Sequence, residues 1–422
     1  MPKTFLPVTR RDFGRLAGAA GVTISAAGTF PRLGWAAAQN TSAANIITGK
    51  SSQMDVLNAK LGVMETPIEL LRQHRITPKE LLFIRFHFPH EGMAAWYGTT
   101  TAPPDDIVKN WKLSVTGLVQ RPREVTIAEL RDMAQEKRVS VLQCAGNGRS
   151  FYAAKQKAVG GQWKNGGMGN VSWEGVPLRQ FLEDMKLMPA DGAQWLTAQA
   201  WDQPATPEGS DFAKSYHLAA PALDHAILAL KMNGDDIPAA HGGPVRLIIP
   251  GYYGNMNVKM LTSLLFEAEE TPSFYQRTGY RMPKELPAGD GFRATDYTIF
   301  NSEPTYGHAI KSVIFSPLPI DNPKRGAVEV TGVAFNDGEA PITKVEVSTD
   351  GGDTWANAEI EKPDSPWAWH HFKAKGKLAS GKNTIMSRAT DALGRTQPLD
   401  GLTRWQPRGY EWNGVEHLEL TV

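Results

Sequence analysis

The chain contains one cysteine, Cys144, in surroundings that could support chemistry. It stands in the stretch Val141-Leu142-Gln143-Cys144-Ala145-Gly146-Asn147-Gly148-Arg149-Ser150, in which a short apolar run leads into small residues. This pattern predicts a buried strand and then a tight loop whose backbone can approach a ligand closely. A thiolate in such a loop is a soft metal ligand or a nucleophile, and the competing interpretation is a small hydrophobic side chain in the core.

Nucleotide-binding loops do not account for this region. Phe151 stands where the fingerprint G-x-G-x-x-G requires its third glycine, so a helix could not pack tightly on the strand. Two phosphate loops also miss a required residue: Ala44 replaces the first glycine before Gly49-Lys50-Ser51, and Asn383 replaces the serine or threonine after Gly381-Lys382. We interpret the second of these as a hairpin turn.

Two further stretches place cationic side chains beside apolar runs. In residues 81–89, Phe83, Arg85 and His87 share one face if the run is extended. Burying a guanidinium without a partner is costly, so this face implies an anion, either internal or bound. In the second stretch, cations flank a predicted buried strand and could hold a phosphate or another anion; they are His241, Arg246 and Lys259.

The composition and the N-terminus limit the class of protein. Residues 1–38 carry five of the 45 Lys and Arg and one of the 44 Asp and Glu, so the remainder has a net charge of −3, which argues against a nucleic-acid-binding protein. Thr9-Arg10-Arg11-Asp12-Phe13 is a twin-arginine motif, and Ala36-Ala37-Ala38 offers a cleavage site, so we expect export of the folded protein to the periplasm. The segment is too rich in Gly and Ala for a stable membrane span.

A single cysteine also limits the cofactors. A c-type haem requires Cys-x-x-Cys-His, and an iron–sulfur cluster requires several thiolates, so we expect neither haem nor an iron–sulfur cluster in this chain. A framework of internal disulfides is excluded for the same reason.

The elements that must position these residues divide the chain in two. In the first part we predict a strand at 111–117, a helix capped by Thr126 with Glu129, and a helix at 177–185. We expect residues 39–76 to form an extension, loosely packed over residues 40–64, and residues 160–170 to form a flexible polar segment. From about Tyr306, short alternating strands at 327–333, 344–349 and 384–390 predict a β-sandwich of about 100 residues.

Taken together, these residues resemble the sulfite oxidase family of molybdenum enzymes over most of the chain from about Leu81 onward. The stretch from Gln143 to Ser150 is close to the family's signature around its molybdenum-binding cysteine, and His-Gly-x-Pro-x-Arg with the later Val-Lys, residues 241–259, is its second hallmark. The resemblance implies an α+β fold, with a mixed α/β molybdopterin-binding domain at residues 77–305. An immunoglobulin-like dimerisation domain at residues 306–422 would follow it.

The same resemblance implies a role for each matching residue. Cys144 would bind molybdenum beside one pyranopterin, in a soft-ligand environment that suits a thiolate. The residues that would face the substrate or take part in the reaction are Arg85, Arg149, Trp173, Tyr280 and Arg408. Those that would bind the cofactor are Phe86, His87, Asp202, His241, Arg246, Asn257 and Lys259. The sequence departs from the animal pattern at Gly148, where a second arginine is usual, and at Phe86, where asparagine is usual.

The function implied by the resemblance is oxidation of sulfite to sulfate, with electrons passed to a c-type cytochrome by a periplasmic homodimer. One alternative is the sulfane dehydrogenase subunit of a thiosulfate-oxidising complex. Another is an exported binding protein in which Cys144 is structural. A cysteine hydrolase using Cys144 with His87 or His241 has less support, because no neighbouring sequence provides an oxyanion hole.

Overall fold

Cys144 directly follows the strand Glu136–Gln143, whose last four residues are buried. The computed structural model describes residues 42–87, 96–202, 210–286 and 293–422. The predicted signal segment, residues 1–38, lies outside the described residues. Residues Thr41–Val422 form one compact unit.

The strands before residue 305 form two main sheets. One sheet has the order β10-β9-β6-β5, with β11 also paired to β9, and the other has the order β4-β3-β12-β7-β8. Most pairings are antiparallel, whereas β12 and β3 are parallel. The strands are β1 (Asp55–Asn58), β2 (Val63–Glu65), β3 (Lys112–Gly117), β4 (Arg123–Thr126), β5 (Glu136–Gln143), β6 (Met168–Pro177), β7 (Trp195–Ala200), β8 (Ala213–His217), β9 (Ile227–Met232), β10 (Asp235–Asp236), β11 (Arg246–Ile248), β12 (Leu261–Glu267), β13 (Arg281–Pro283) and β14 (Ser302–Pro304).

Short helices pack on these sheets. The predicted capping box is confirmed: the Thr126 side chain accepts from the backbone N–H of Glu129, and the Glu129 carboxylate accepts from the backbone N–H of Thr126. The helix predicted at 177–185 is confirmed too, with Leu178 and Phe181 buried at helical spacing. The helices are α1 (Ala43–Ile46), α2 (Ile68–Leu71), α3 (Asp105–Asn110), α4 (Ile127–Asp132), α5 (Leu178–Asp184) and α6 (Phe274–Arg277).

The last part of the chain is a β-sandwich, so the predicted fold class is confirmed. One sheet has the order β15-β16-β20-β19 and the other has the order β18-β17-β21-β22. Their facing side chains form a shared core that includes Val330, Val345 and Ile385. The strands are β15 (Lys311–Ser316), β16 (Gly326–Phe335), β17 (Ile342–Ser348), β18 (Ala356–Asn357), β19 (Glu359–Ile360), β20 (His370–Leu378), β21 (Lys382–Asp391) and β22 (Glu416–Thr421).

The expectation of a loosely packed segment at residues 40–64 is wrong for its described part. Ala43, Ile47, Met54 and Met64 are buried in the main core of the molecule. The backbone of Met64 also forms an isolated β-bridge with Ile84. Scattered apolar residues without a regular period gave no sign of this packing, because their partners lie far away in the sequence.

Two other local predictions need correction. Residues 160–170 are not a free polar segment, because Gly169 and Asn170 belong to β6 and pair with β5. Residues 81–87 do not form a continuous strand, and residues 88–89 lie outside the described residues. Phe83, Arg85 and His87 nevertheless line a single cavity, but Ile84 between them lines it as well, so the predicted alternation of faces does not apply.

Candidate active site

A partly enclosed cavity opens beside the loop that follows β5. The cavity gathers side chains from both main sheets and from the loops between them. The predicted site residues that line it are Arg85, His87, Cys144, Asp202, His241, Arg246, Asn257, Lys259 and Tyr280.

Cys144 is fixed in this cavity by the backbone around it. Its N–H donates to the carbonyl oxygen of Gly167 at 2.8 Å, and its own carbonyl oxygen accepts from the N–H of Asn147 at 2.9 Å. The residue is 7% exposed, and burial raises the pKa of the thiol, while the positive charges of Arg149 and Arg85 oppose that rise. A thiolate here therefore needs a further cation, as a bound metal would provide.

Arg85, His87 and Tyr280 form one wall of the cavity. Nε2 of His87 lies 2.6 Å from Oη of Tyr280, and the imidazole stacks on Phe212 with ring centroids 4.3 Å apart. Nη1 of Arg85 is buried and has no hydrogen-bond partner among the described residues. Leaving a guanidinium N–H unsatisfied is costly, so this donor suits a bound anion.

Cations also belong to the cavity lining. Arg246 is held by two backbone carbonyls, since its Nε donates to Asn257 at 3.1 Å and its Nη1 donates to His241 at 2.9 Å. Burial lowers the pKa of Arg246 to about 9 and that of Lys259 to about 7. Asp202 is the one carboxylate lining this cavity within the described residues, and burial raises its pKa to about 6. The lining thus carries more positive than negative charge.

The absence of a side chain at Gly242 allows its backbone to lie close to Lys259. Gly242 has φ +101°, and a Cβ there would lie 2.6 Å from Cβ of Lys259. Any other residue would push the lysine away from its site. The ammonium of Lys259 lies 4.0 Å from the ring centroid of Phe86, which is fully buried and does not line the cavity. Phe86 therefore supports Lys259 by a cation–π contact.

Asn257 lines the cavity, but its side-chain amide is hydrogen-bonded to neighbouring backbone groups. Its Oδ1 accepts from the N–H of Ile249 at 2.7 Å. Its Nδ2 donates to the carbonyl oxygens of Tyr252 and Tyr253 at 3.0 and 2.9 Å. The amide thus holds the loop that follows β11 in place.

The predicted cluster of three arginines facing one anion needs correction, because Arg149 and Arg408 do not line the cavity in this structure. Nε and Nη1 of Arg149 donate to the carbonyl oxygens of Arg408 and Gly161 at 2.7 and 2.8 Å. The guanidinium of Arg408 donates to the carbonyl oxygen of Ala294 and lies over the ring of Tyr297. Backbone carbonyls thus engage both groups, although Nε of Arg408 is buried without a partner among the described residues. Arg149 acts on Cys144 through its charge.

Trp173 is also placed differently from its predicted role. It is fully buried on β6, does not line the cavity, and carries the guanidinium of Arg246 over its ring at 5.3 Å. A second buried tryptophan, Trp163, lies closer to the cysteine loop. Its carbonyl oxygen accepts from the N–H of Ser150, and its ring packs edge-on against Phe83 of the cavity wall.

Two residues near the site gave no clear sequence signal. Nζ of Lys50 lies 3.0 Å from Nε2 of His241, although Lys50 belongs to the segment expected to pack loosely. Tyr410 stacks on Tyr280 with centroids 5.2 Å apart, and the Arg149 guanidinium lies 5.2 Å from the same ring. The sequence Gly49-Lys50-Ser51 does contain a phosphate-loop fragment, which was the one available hint of Lys50.

These residues fit a molybdenum–pyranopterin cofactor. Cys144 supplies a soft ligand in the cavity, and the buried cations of the same lining suit a phosphate. Arg85, which carries the unpartnered Nη1, belongs to that lining too. Among the described residues, no group of three or more His, Cys, Asp and Glu side chains could hold a metal ion by itself. No helix in the described part of the chain is long and apolar enough to cross a membrane.

Family models match both parts of the chain. Residues 100–275 match the oxidoreductase molybdopterin binding domain, and residues 302–414 match the Mo-co oxidoreductase dimerisation domain. The boundaries at residues 77, 305 and 306 stay predictions.

Individual proteins agree with these models. The chain is 27% identical to sulfite oxidase of Arabidopsis thaliana, over 82% of this chain and 88% of the relative. It is 28% identical to mitochondrial sulfite oxidase of Homo sapiens, over 85% of this chain but 64% of the relative's length. The crystal structure of the sulfane dehydrogenase SoxCD from Paracoccus pantotrophus matches with a TM-score of 0.70 and 26% identity, covering 87% of this chain and 86% of that one. The chain therefore carries a molybdopterin-binding oxidoreductase domain and a Mo-co dimerisation domain, and over most of its length it is similar to sulfite oxidases.

Proposed function

We propose that this protein is a periplasmic sulfite dehydrogenase, which oxidises sulfite to sulfate and passes the electrons to a c-type cytochrome. The observation that carries this proposal is the buried, unpartnered Nη1 of Arg85 in the cavity that also contains Cys144. A guanidinium binds a small oxyanion with planar, forked hydrogen bonds that lysine would not reproduce. The sulfite oxidases among the relatives support the same substrate class.

The chain's own residues would bind and orient both the cofactor and the substrate. The bound cofactor would supply two-electron redox chemistry and oxygen-atom transfer. Cys144 would hold the metal, and Arg246, Lys259 and His241 would hold the anionic end of the pterin. The positive charge of Arg149 beside the cysteine would help to keep the sulfur deprotonated.

Arg85, His87 and Tyr280 would act on the substrate. Arg85 would bind sulfite and offset its charge as it enters the cavity. The stack of His87 on Phe212 keeps the imidazole in one orientation, so that it meets the Tyr280 hydroxyl. This pair would provide a proton donor and acceptor next to the bound anion.

Location and electron transfer are further parts of the proposal. The twin-arginine motif Arg10-Arg11 would direct the folded, loaded protein to the periplasm. Changing both arginines to lysine should leave the precursor in the cytoplasm, whereas unchanged processing would contradict this route. Because the chain has one cysteine, we expect the acceptor to be an external cytochrome, and the dimerisation domain supports a homodimer.

The decisive experiment combines metal analysis with an assay. The purified mature protein, made in a host that produces the cofactor, should contain about one molybdenum per chain and reduce cytochrome c when sulfite is added. Cys144→Ser serves as the matched control and should do neither. Loaded protein that shows no activity with sulfite would reject the proposed substrate. Protein that lacks molybdenum altogether would favour an exported binding protein with a structural cysteine.

A sulfane dehydrogenase subunit is the second candidate, and the match to the SoxCD structure over most of both chains favours it. In that case turnover would require sulfur bound to a carrier protein. Assays with thiosulfate-pathway partners, with and without free sulfite, separate the two activities. Activity that appears only with the partners would support the sulfane dehydrogenase.

A further inference from the structure

Lys50 is a buried lysine in contact with His241, one of the residues that line the cavity. Its side chain comes from the N-terminal segment and is 3% exposed. Nζ donates to the backbone carbonyl oxygens of Lys79 and Leu82 and lies 3.0 Å from Nε2 of His241. Within the described ranges of the chain, no carboxylate forms a salt bridge with this ammonium, although Glu80 lies near enough to raise its pKa.

The charges around Lys50 are unbalanced. His241, Arg246 and Lys259 line the cavity next to it, and Asp202 is the one carboxylate in that lining within the described residues. Burial lowers the pKa of Lys50 well below its usual value, and the neighbouring Lys259 lowers it further. Buried cations that repel one another in this way are stable when an anion joins them.

The contact with His241 also sets the tautomer of the imidazole while Lys50 carries its charge. A lysine ammonium has three donors and no acceptor, so Nε2 of His241 accepts from charged Lys50. The carbonyl oxygen of Lys79, 3.1 Å from Nε2, accepts from the same ammonium. The ring proton of neutral His241 is therefore placed on Nδ1, as in sites where a hydrogen bond on one ring nitrogen sets the role of the other.

A purely structural role would be to tie the N-terminal segment to residues 79–82. An apolar or neutral side chain could make such a tie without burying a charge, and burying an ammonium is costly. The contact of the charge with a histidine of the cavity lining therefore indicates a role toward a ligand.

We propose that Lys50 is a positioning residue of a phosphate-monoester site, which it serves by orienting His241 and by adding positive charge behind it. The ligand is the phosphate of the pterin cofactor, so the inference rests on the cofactor in the proposed function. It adds to that function the N-terminal segment, which would help to hold the cofactor although it lies outside both family matches.

The test measures binding of inorganic phosphate to the full-length mature chain, purified from a host that cannot make the pterin. Lys50→Met should weaken phosphate binding by about tenfold or more, since a hydrogen bond that involves a charged group contributes this much. The matched control is Lys79→Met, which keeps the carbonyl that accepts from Lys50 and removes only a side chain paired with exposed Asp235. The control should bind phosphate within about twofold of the wild type.

Thermal unfolding separates this role from a simple tie. In the wild type, phosphate should raise the melting temperature, and in Lys50→Met this gain should largely disappear. A lower melting temperature with unchanged phosphate affinity would overturn the proposal, and so would a wild-type chain that does not bind phosphate.

Two more variants keep the proposal testable if Lys50→Met does not fold. Lys50→Arg keeps the charge and should retain most of the phosphate affinity, whereas His241→Gln should lose it. Where the single variants fold, Lys50→Met should have little further effect in the His241→Gln background, because the two residues act together. Equal and additive losses would contradict the coupling. These measurements use no sulfite, so they are independent of the proposed turnover.

Discussion

The hydroxyl of Tyr280 lies 2.6 Å from Nε2 of His87, and Tyr280 adopts a left-handed backbone with φ +54° to reach it. Burial lowers the pKa of His87 well below its usual 6.5, with the charge of Arg85 adding to the effect. Burial likewise raises the pKa of Tyr280. Both groups are therefore neutral at pH 7, and the strained backbone of Tyr280 is typical of a functional position.

Tyr280→Phe should lower kcat/KM for sulfite by about ten- to a hundredfold, because the hydrogen bond that orients His87 is lost. Steady-state kinetics measure this, with Tyr252→Phe, a half-buried tyrosine outside the cavity, as the control. In the wild type, the pH dependence of kcat/KM should show no inflection from His87 near 6.5, since its pKa lies lower. Unchanged kinetics of Tyr280→Phe would show that the contact has no role in turnover.

Arg85 and Arg408 should differ in their effect on sulfite binding. Arg85→Gln removes the buried, unpartnered donor of the cavity and should raise the KM for sulfite by about tenfold or more. Arg408→Gln removes a group that donates to the carbonyl of Ala294 and should change KM by less than about threefold. Steady-state kinetics of the two variants measure both KM values for sulfite. A larger rise in KM for Arg408→Gln than for Arg85→Gln would mean that Arg408 turns toward the substrate.

Cys144→Ser should abolish molybdenum binding and leave the fold intact. Serine is close in size to cysteine. The N–H and the carbonyl oxygen of residue 144, which bond to Gly167 and Asn147, are the same in the variant. Elemental analysis should find far less than one molybdenum per chain, while the circular dichroism spectrum matches that of the wild type. Full molybdenum content in the variant would remove Cys144 from its proposed role.

Tyr410 should matter through its ring rather than its hydroxyl. The ring lies between Tyr280 and the guanidinium of Arg149. Tyr410→Phe keeps both contacts and should leave kcat/KM within about threefold of the wild type, whereas Tyr410→Leu should lower it by about tenfold, since stacking and cation–π contacts contribute about 1 kcal/mol each. An equal loss of kcat/KM in both variants would assign the role to the hydroxyl instead.

Glu65 should make the folded state less stable as the pH rises. Its carboxylate accepts from the backbone N–H of Lys164 at 2.9 Å but is 1% exposed, and burial raises its pKa from 4.5 to about 7. The folded state therefore binds this proton more tightly than the unfolded state does. The resulting stability is fully present below pH 4.5 and is lost as the pH rises through about 7, by an amount on the order of 3 kcal/mol.

Glu65→Gln removes this titration, so the variant should gain stability relative to the wild type between pH 5 and pH 8. Thermal unfolding at both pH values measures the change, and Glu329→Gln on the exposed side of β16 is the control. A constant difference between variant and wild type across this range would mean that Glu65 is ionised at both ends.

The sequence determined the parts of this protein that depend on neighbours along the chain. Thr126 and Glu129 stand three residues apart, so their capping box could be predicted from spacing alone. The alternation of apolar residues after Tyr306 predicted the β-sandwich in the same way. The apolar run before Cys144 predicted a strand that ends at the thiol, and the motif around it predicted a molybdopterin-binding domain.

Tertiary structure decided what each charged or aromatic side chain meets. Lys50 and His241 are 191 positions apart, and Arg149 meets the carbonyl of Arg408 across 259 positions. No local period records such contacts, because they depend on how separate loops pack around one cavity. For that reason the sequence could name Cys144 and the arginines, but the fold alone determined that Arg85 is left with an unpartnered donor in the cavity while carbonyls engage Arg149 and Arg408.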